Sequence, residues 1–166
     1  MGMILKGGVL IGGLCAAWTF VMGFTGWYKD PRFLYLFFGV VLIQIGVLLW
    51  ALRRTAAERS YAQQVAAGML MSFIAGVILF VSSLVFTTVV FPEYFNEIRA
   101  MQAGMLRAAG RSEADIAAEL QAMAGAQTPF IQAFRGLVGT AGTGLVVSMV
   151  IAIFFRARPT PAAPPA

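Results

Sequence analysis

The sequence contains no histidine, a single cysteine and few charged residues. Without histidine, the chain lacks the commonest ligand for haem, zinc and copper, and the side chain that most often exchanges protons near neutral pH. Cys15 has no second cysteine with which to form an intramolecular disulfide, and it lies inside an apolar run. Because these signatures are missing, we expect no cofactor, no metal site and no catalytic residues.

The composition indicates an integral membrane protein. Of the 166 residues, 60% are hydrophobic and 11% are charged, whereas about a quarter of the residues of a soluble domain are charged. A soluble domain of this size has too little interior to hide four uncharged segments of about twenty residues each. The net charge of +5 does not indicate nucleic-acid binding, because the basic residues lie at the ends of apolar runs.

Four apolar runs predict an all-α fold, a four-helix bundle of transmembrane helices. The predicted spans are residues 7–27, 33–52, 65–90 and 136–155, each about long enough to cross the hydrocarbon core of a bilayer. A cleaved signal peptide is the alternative for the first run, but no clear A-x-A cleavage site is present. Residues 1–158 then form one domain, and the proline-rich residues 159–166 form a disordered tail.

Small residues recur at four-residue spacing in three of the spans. In lipid, such a stripe lets two helix backbones approach closely. We expect these stripes to pack against other spans of the same molecule in preference to a second copy. The helix-packing candidates are Gly8 and Gly12 in the first span, Gly68, Ser72 and Gly76 in the third, and Thr140, Gly144 and Ser148 in the last.

A few polar side chains interrupt the spans. Gln44 is the one strongly polar residue of the second span, and hydroxyls follow one another near the end of the third. We expect Gln44 to make an interhelical hydrogen bond and the hydroxyls to bond helix carbonyls. The alternative is that they line a polar entrance for a solute. The hydroxyl residues are Ser82, Ser83, Thr87 and Thr88.

Residues 92–128 are the long polar segment of the chain. A proline at position 92, a glycine at 110 and the Ser112-x-x-Asp115 pattern predict two short amphipathic helices. This pair could lie on the membrane, fold over the ends of the spans or contact a partner protein, and we favour packing over the bundle or a partner. The candidates for a partner interface are Tyr94, Ile98, Met101, Met105, Ile116, Leu120 and Met123.

The distribution of arginine predicts the orientation in the membrane. The loop between the second and third spans holds three arginines, and two more follow the last span. Because Lys and Arg close to membrane ends favour the cytoplasmic side, we expect both termini in the cytoplasm. Residues 92–128 would then lie on the outer side of a bacterial inner membrane.

The order of these parts is similar to that of a known family. The chain has four spans, an FPEYF segment after the hydroxyl-rich third span, the run GRSEADIAAELQAM, and a glycine-rich last span that ends in FFRAR. It resembles the uncharacterised bacterial family catalogued as domain of unknown function 4199. The resemblance covers nearly the whole chain and is most specific over residues 92–123. This family has no established activity, so the resemblance implies a membrane fold and location and no catalytic residues.

Two functions from different classes fit these features. The leading hypothesis is a non-enzymatic accessory or structural membrane protein that presents residues 92–128 to a partner, because no charged residue lies deep inside a predicted span. The alternative is a small oligomeric transporter or channel, which Gln44 and the hydroxyls would support. The expected partners are the lipid bilayer and either another membrane protein or further copies of this chain, without nucleic acid.

Overall fold

The structure is a computed structural model that describes residues 2–155 and 157. Over this part the chain is helical and has no strand, which confirms the predicted all-α class. The six α-helices are α1 (Gly2–Thr25), α2 (Gly39–Arg54), α3 (Tyr61–Val85), α4 (Tyr94–Ala108), α5 (Glu113–Ala124) and α6 (Pro129–Phe154). Short 3-10 helices cover Trp27–Lys29 and Pro31–Phe38, and a π-helix covers Phe86–Val90. The predicted tail, residues 159–166, lies outside the described residues.

Four helical segments in the described part are long and apolar enough to cross a membrane. They are Gly2–Thr25, Pro31–Arg54, Tyr61–Val90 and Pro129–Phe154, which indicates a membrane protein. The Thr128-Pro129 pair predicts the start of the last helix, and the helix begins there, where the side chain of Thr128 accepts a hydrogen bond from the Ile131 amide. Its apolar portion, predicted from residue 136, is thus preceded by about two further turns of helix.

α3 is the central helix of the fold. Its most extensive contacts are with α6 and α1, and α2 packs mainly against α1 and α6. The buried core consists of apolar side chains from these helices, which explains why α3 is enriched in small and apolar residues. Its members include Ile11, Cys15, Leu48, Ala51, Leu52, Ala67, Met71, Ala75 and Ile151.

The small-residue stripes lie at the contacts between helices of the same molecule. A Cβ atom on Gly8 would lie 2.7 Å from Cβ of Ile74, and one on Gly12 would lie 2.8 Å from Cβ of Ile78, so both glycines face α3. A Cβ on Gly76 would lie 3.2 Å from the carbonyl oxygen of Leu137 in α6. Backbone and side chain thus approach so closely that larger residues do not fit.

α3 and α6 also approach each other closely at two further glycines. A Cβ atom on Gly68 would overlap the side chain of Ser148, and one on Gly144 would overlap the side chain of Ser72. Each glycine therefore packs against a serine of the opposite helix. We call this contact, in which Gly68 and Ser72 of α3 face Ser148 and Gly144 of α6, the α3–α6 seam.

Two segments depart from α-helical geometry where α-helix was expected. Pro31–Phe38 forms a 3-10 helix at the start of the second span, and its Leu36 carbonyl accepts a 2.9 Å hydrogen bond from the Trp18 indole. The end of the third span widens into the π-helix Phe86–Val90, where the Phe91 amide donates to the Phe86 carbonyl at 2.8 Å. Such wide turns are often found at functional sites.

A buried glutamine connects α2, α3 and α6 at the end of the bundle where α3 starts, opposite the π-helix. Gln64, in the first turn of α3, donates hydrogen bonds of 2.9 Å to the Leu52 carbonyl and 3.0 Å to the Phe155 carbonyl. The hydroxyl of Thr55 donates to the Gln64 side-chain oxygen at 3.1 Å. Carbonyls at the ends of helices have no partner within the helix, and Gln64 supplies one for α2 and for α6. Gln64 is not among the residues to which the sequence pattern assigns a role.

The α3–α6 seam predicts opposite effects for two alanine substitutions in α6. We expect Gly144→Ala to destabilise the fold by about 1–3 kcal/mol, because the new methyl group overlaps Ser72. Gly142→Ala adds the same methyl group where nothing lies within 4 Å, so it should be neutral or stabilising by up to about 1 kcal/mol. Unfolding in mixed micelles, followed by circular dichroism, measures both. Equal effects of the two substitutions would contradict this seam.

Candidate functional site

A partly open cavity of about 340 Å³ lies between α1, α2, α3 and α6. Its volume is within the range of small-molecule sites, roughly 300–1,000 Å³. The lining begins at Tyr28 and Tyr94, near the start of α4, and ends at the level of Gln44 and Thr143. Most of the wall is aliphatic and aromatic, and the polar groups come from several different helices. This mixture is typical of a ligand-binding cavity.

Gln44 closes the inner end of the cavity. It is 4% exposed, and its amide nitrogen donates to the Thr140 carbonyl at 2.8 Å and to the Ser72 hydroxyl at 3.2 Å. The interhelical hydrogen bond expected of this residue is therefore present twice. Beyond it, Ser72 fills the space beside Gly144, and neither residue lines the cavity. The cavity is thus a pocket with a floor.

Hydroxyls of α3 line the pocket as a group. Ser82, Ser83 and Thr87 all contribute to its wall, whereas the Thr88 side chain is outside it and donates to the Leu84 carbonyl. Thr87 donates to the Ser83 carbonyl at 2.8 Å, which leaves its oxygen able to accept a further hydrogen bond. Within the described residues, the side chains of Ser82 and Ser83 form no hydrogen bond. Their donors are available to a molecule in the pocket.

α6 contributes two glycines and one arginine to the wall of the pocket. A Cβ atom on Gly136 or Gly139, both of which line the pocket, would meet nothing within 4 Å. Arg135 also lines the pocket, as the one charged lining residue among those described. Its guanidinium forms no ion pair or hydrogen bond with any described residue. Arg135 is exposed, as are Phe130 and Phe134 beside it, at 62% and 51%.

Arg135 is not among the site residues predicted from the sequence. The Thr128-Pro129 pair predicts a last helix that includes Arg135, but the predicted membrane portion begins only at residue 136, so Arg135 reads as a charge at the membrane edge. The packing of α6 against the other helices is what places it at the pocket.

A cluster of polar contacts holds the start of α4 beside the pocket. We call this cluster of Tyr28, Lys29 and Glu97 the latch. The Tyr28 hydroxyl donates a hydrogen bond to Glu97, and the Lys29 ammonium pairs with the same carboxylate at 2.6 Å. The Tyr94 ring lies 5.2 Å from the Tyr28 ring and 5.4 Å from the Phe86 ring, measured between centroids. Tyr28, Tyr94 and Phe86 all line the pocket. The latch therefore holds the start of α4 against the end of the pocket that these three rings line.

The latch shifts the pKa values of its members in opposite directions. The hydrogen bond from Lys29, followed by that from Tyr28, lowers the pKa of Glu97 below its ordinary 4.5. Burial, followed by the hydrogen bond to Glu97, raises the pKa of Tyr28. Glu97 is therefore ionised and Tyr28 is protonated near neutral pH.

The candidates for a partner interface fall into four groups. Ile116 is 2% exposed, so in this conformation it is covered by the fold and is not available to a partner. Tyr94 contacts other rings at the pocket. Met105 is 43% exposed and is the most accessible of the set. The remaining candidates are half-buried, and they are Ile98, Met101, Leu120 and Met123.

The latch predicts that the start of α4 loosens in acid. The stabilising effect of ionised Glu97 is complete above its ordinary pKa of 4.5 and is lost as the pH falls through the lowered pKa. Amide hydrogen-exchange protection at the start of α4 should then fall, by about fivefold for a pair of about 1 kcal/mol.

Two substitutions complete this test. Glu97→Gln should lower the protection already at pH 7 and remove its pH dependence over this range. Glu93→Gln removes the same charge from the N-cap of α4, a residue that contacts Asn96 instead of the latch, so the protection should still fall in acid as it does in the wild type. A wild-type pH dependence that survives in Glu97→Gln would exclude the latch as its cause.

Comparison with known proteins identifies the family of the chain. No characterised protein and no solved structure matches it. The sequence profile of one family matches residues 6–157, which include the four long helices except for the first turn of α1, and all residues of the pocket. The resemblance noted from the sequence is therefore confirmed, and the chain belongs to the family described as Protein of unknown function (DUF4199).

Proposed function

We propose that this chain is a non-enzymatic, multi-pass membrane protein that binds a small molecule in the pocket beside α4. The observation that carries this proposal is the gathering of polar groups from four helices around one open space. Thr19 of α1, Gln44 of α2, Ser83 of α3 and Thr140 of α6 all line it. Open space in a packed interior forfeits the contacts of the atoms around it, and a bound molecule would restore them.

The shape of the pocket favours the binding of a small molecule over its passage across the membrane. The lining ends at Gln44, where Ser72 and Gly144 bring α3 and α6 into direct contact. A channel through one chain would need a path beyond this contact. The oligomeric channel considered from the sequence would therefore need its path between copies, and no feature of the described residues favours that arrangement.

In the proposed orientation, both termini lie in the cytoplasm of a bacterial cell and residues 92–128 lie outside its inner membrane. The arginines near the membrane ends of the second and last spans support this orientation. The pocket then belongs to the outer half of the protein, below the latch of Glu97. The helix pair α4 and α5 is the part that an accessory protein would present to another membrane protein, with Met105 exposed on it.

Filling the pocket tests the proposal directly. Gly139→Leu places a side chain into the open space at the pocket wall, whereas Gly142→Leu places the same side chain on α6 away from the pocket, where a Cβ also meets nothing within 4 Å. We expect native mass spectrometry of protein purified in mild detergent to show a bound small molecule in the wild type and in Gly142→Leu. Gly139→Leu should lose at least about 90% of it, because one leucine fills much of the available volume.

The opposite pattern would refute a ligand-binding pocket at this position. If Gly139→Leu retained the bound molecule at the level of Gly142→Leu, the molecule would be held elsewhere on the protein. Both variants must unfold at the same temperature, which shows that the substitution removes the molecule and leaves the fold intact.

A further inference from the structure

We propose that the pocket binds an anionic amphiphile, a molecule with one apolar chain and a carboxylate or phosphate head group that pairs with Arg135. This inference rests on the proposed function, since it assigns a chemical class to the molecule that the pocket holds. Three features of the pocket support it: its charge, its hydrogen-bond donors and its apolar walls.

The charge of the pocket favours an anion. Arg135 is its one charged lining residue in the described part of the chain, and no carboxylate lines it. The acid of the latch, Glu97, already has Lys29 and Tyr28 as partners. The guanidinium is accessible to a bound anion, because Arg135 is exposed and no described residue pairs with it. A carboxylate or phosphate would form charge-assisted hydrogen bonds with it.

Neutral donors near Arg135 fit the oxygens of such a head group. Gln132 lines the pocket three residues before Arg135, which places both on one face of α6. Its side chain makes no hydrogen bond with a described residue, and the same is true of Ser82 and Ser83. The guanidinium, the amide and the two hydroxyls thus remain available as donors, and each suits an anionic oxygen.

The walls of the pocket fit an apolar chain. Phe20, Phe37, Val41, Leu79 and Phe86 all line it, and these side chains offer no donor or acceptor to a sugar or a nucleotide. Gly136 and Gly139 leave room along α6 because a Cβ at either position would meet nothing. An inorganic anion would pair with Arg135 but would leave these apolar walls without contacts.

Matched probes separate the contribution of the head group from that of the chain. The full-length protein is placed in nanodiscs of zwitterionic phosphatidylcholine and titrated with dodecanoate, dodecyl phosphate and dodecanol, with binding measured by native mass spectrometry. We expect both anions to bind at least about tenfold more tightly than dodecanol, which corresponds to about 1.4 kcal/mol. Inorganic phosphate and acetate should not compete. The tighter of the two anions shows whether a fatty acid or a phosphate head group is preferred.

Substitution of Arg135 tests where the preference originates. Arg135→Gln should abolish the preference for anions and leave the affinity for dodecanol unchanged, and Arg135→Lys should retain most of the preference. Arg111→Gln removes the same charge from a residue outside the pocket, so it should bind as the wild type does. If Arg135→Gln kept the tenfold preference, or if dodecanol bound as tightly as the anions to the wild type, the inference would be overturned.

The variant Gly139→Leu separates a failure of this inference from a failure of the proposed function. If the wild type shows no anion preference but Gly139→Leu still loses dodecanol binding, the pocket binds a ligand and only its assigned class is wrong. If Gly139→Leu binds all three probes as tightly as Gly142→Leu does, both proposals fail. Loss of binding of all three probes in Gly139→Leu, together with loss of the anion preference in Arg135→Gln, would support both.

Discussion

The close approach of α3 and α6 is the constraint on which the rest of the structure depends. Helices in lipid gain little from burying apolar surface against each other, so they associate where small residues let their backbones come close. Gly68 receives Ser148 and Gly144 receives Ser72, which fixes the two helices along much of their length. At Gly136 and Gly139 of α6, a Cβ atom would meet nothing within 4 Å. The same helix therefore makes the tightest seam and one wall of the pocket.

Two buried glutamines then fix the position of α2 against this pair. Gln44 connects α2 to Ser72 of α3 and to the Thr140 carbonyl of α6. Gln64 connects the start of α3 to the final carbonyls of α2 and α6. Each amide satisfies backbone or hydroxyl groups that have no water to bond within an apolar interior. Because the two amides lie at different levels, they restrict both sliding and tilting of α2.

The sequence predicts the helices of this protein better than it predicts their contacts. Apolar runs and caps such as Thr128 identify the helices, because both depend on local chemistry. Periodicity shows that Ile116 and Leu120 share a helix face, but it does not show what that face contacts, and Ile116 proves to be buried. The pocket arises from four helices that are distant in sequence. Arg135, the one cation among the described lining residues, lies within the predicted last helix, and only the packing of that helix against the others places it at the pocket.

The π-helix Phe86–Val90 connects the pocket to the helix pair α4 and α5. Phe86 lines the pocket and also contacts the Tyr94 ring of α4, while Glu97 holds the same end of α4 through Tyr28 and Lys29. The Lys29 and Glu97 side chains are 50% and 33% exposed, and an ion pair that is this exposed contributes at most about 1 kcal/mol. A ligand can shift a conformational equilibrium by its difference in affinity for the two states, and a difference of this size is readily available from a few contacts. A molecule bound in the pocket as proposed would therefore touch Phe86, which packs on Tyr94 of α4, and its binding energy could change how firmly the start of α4 is held.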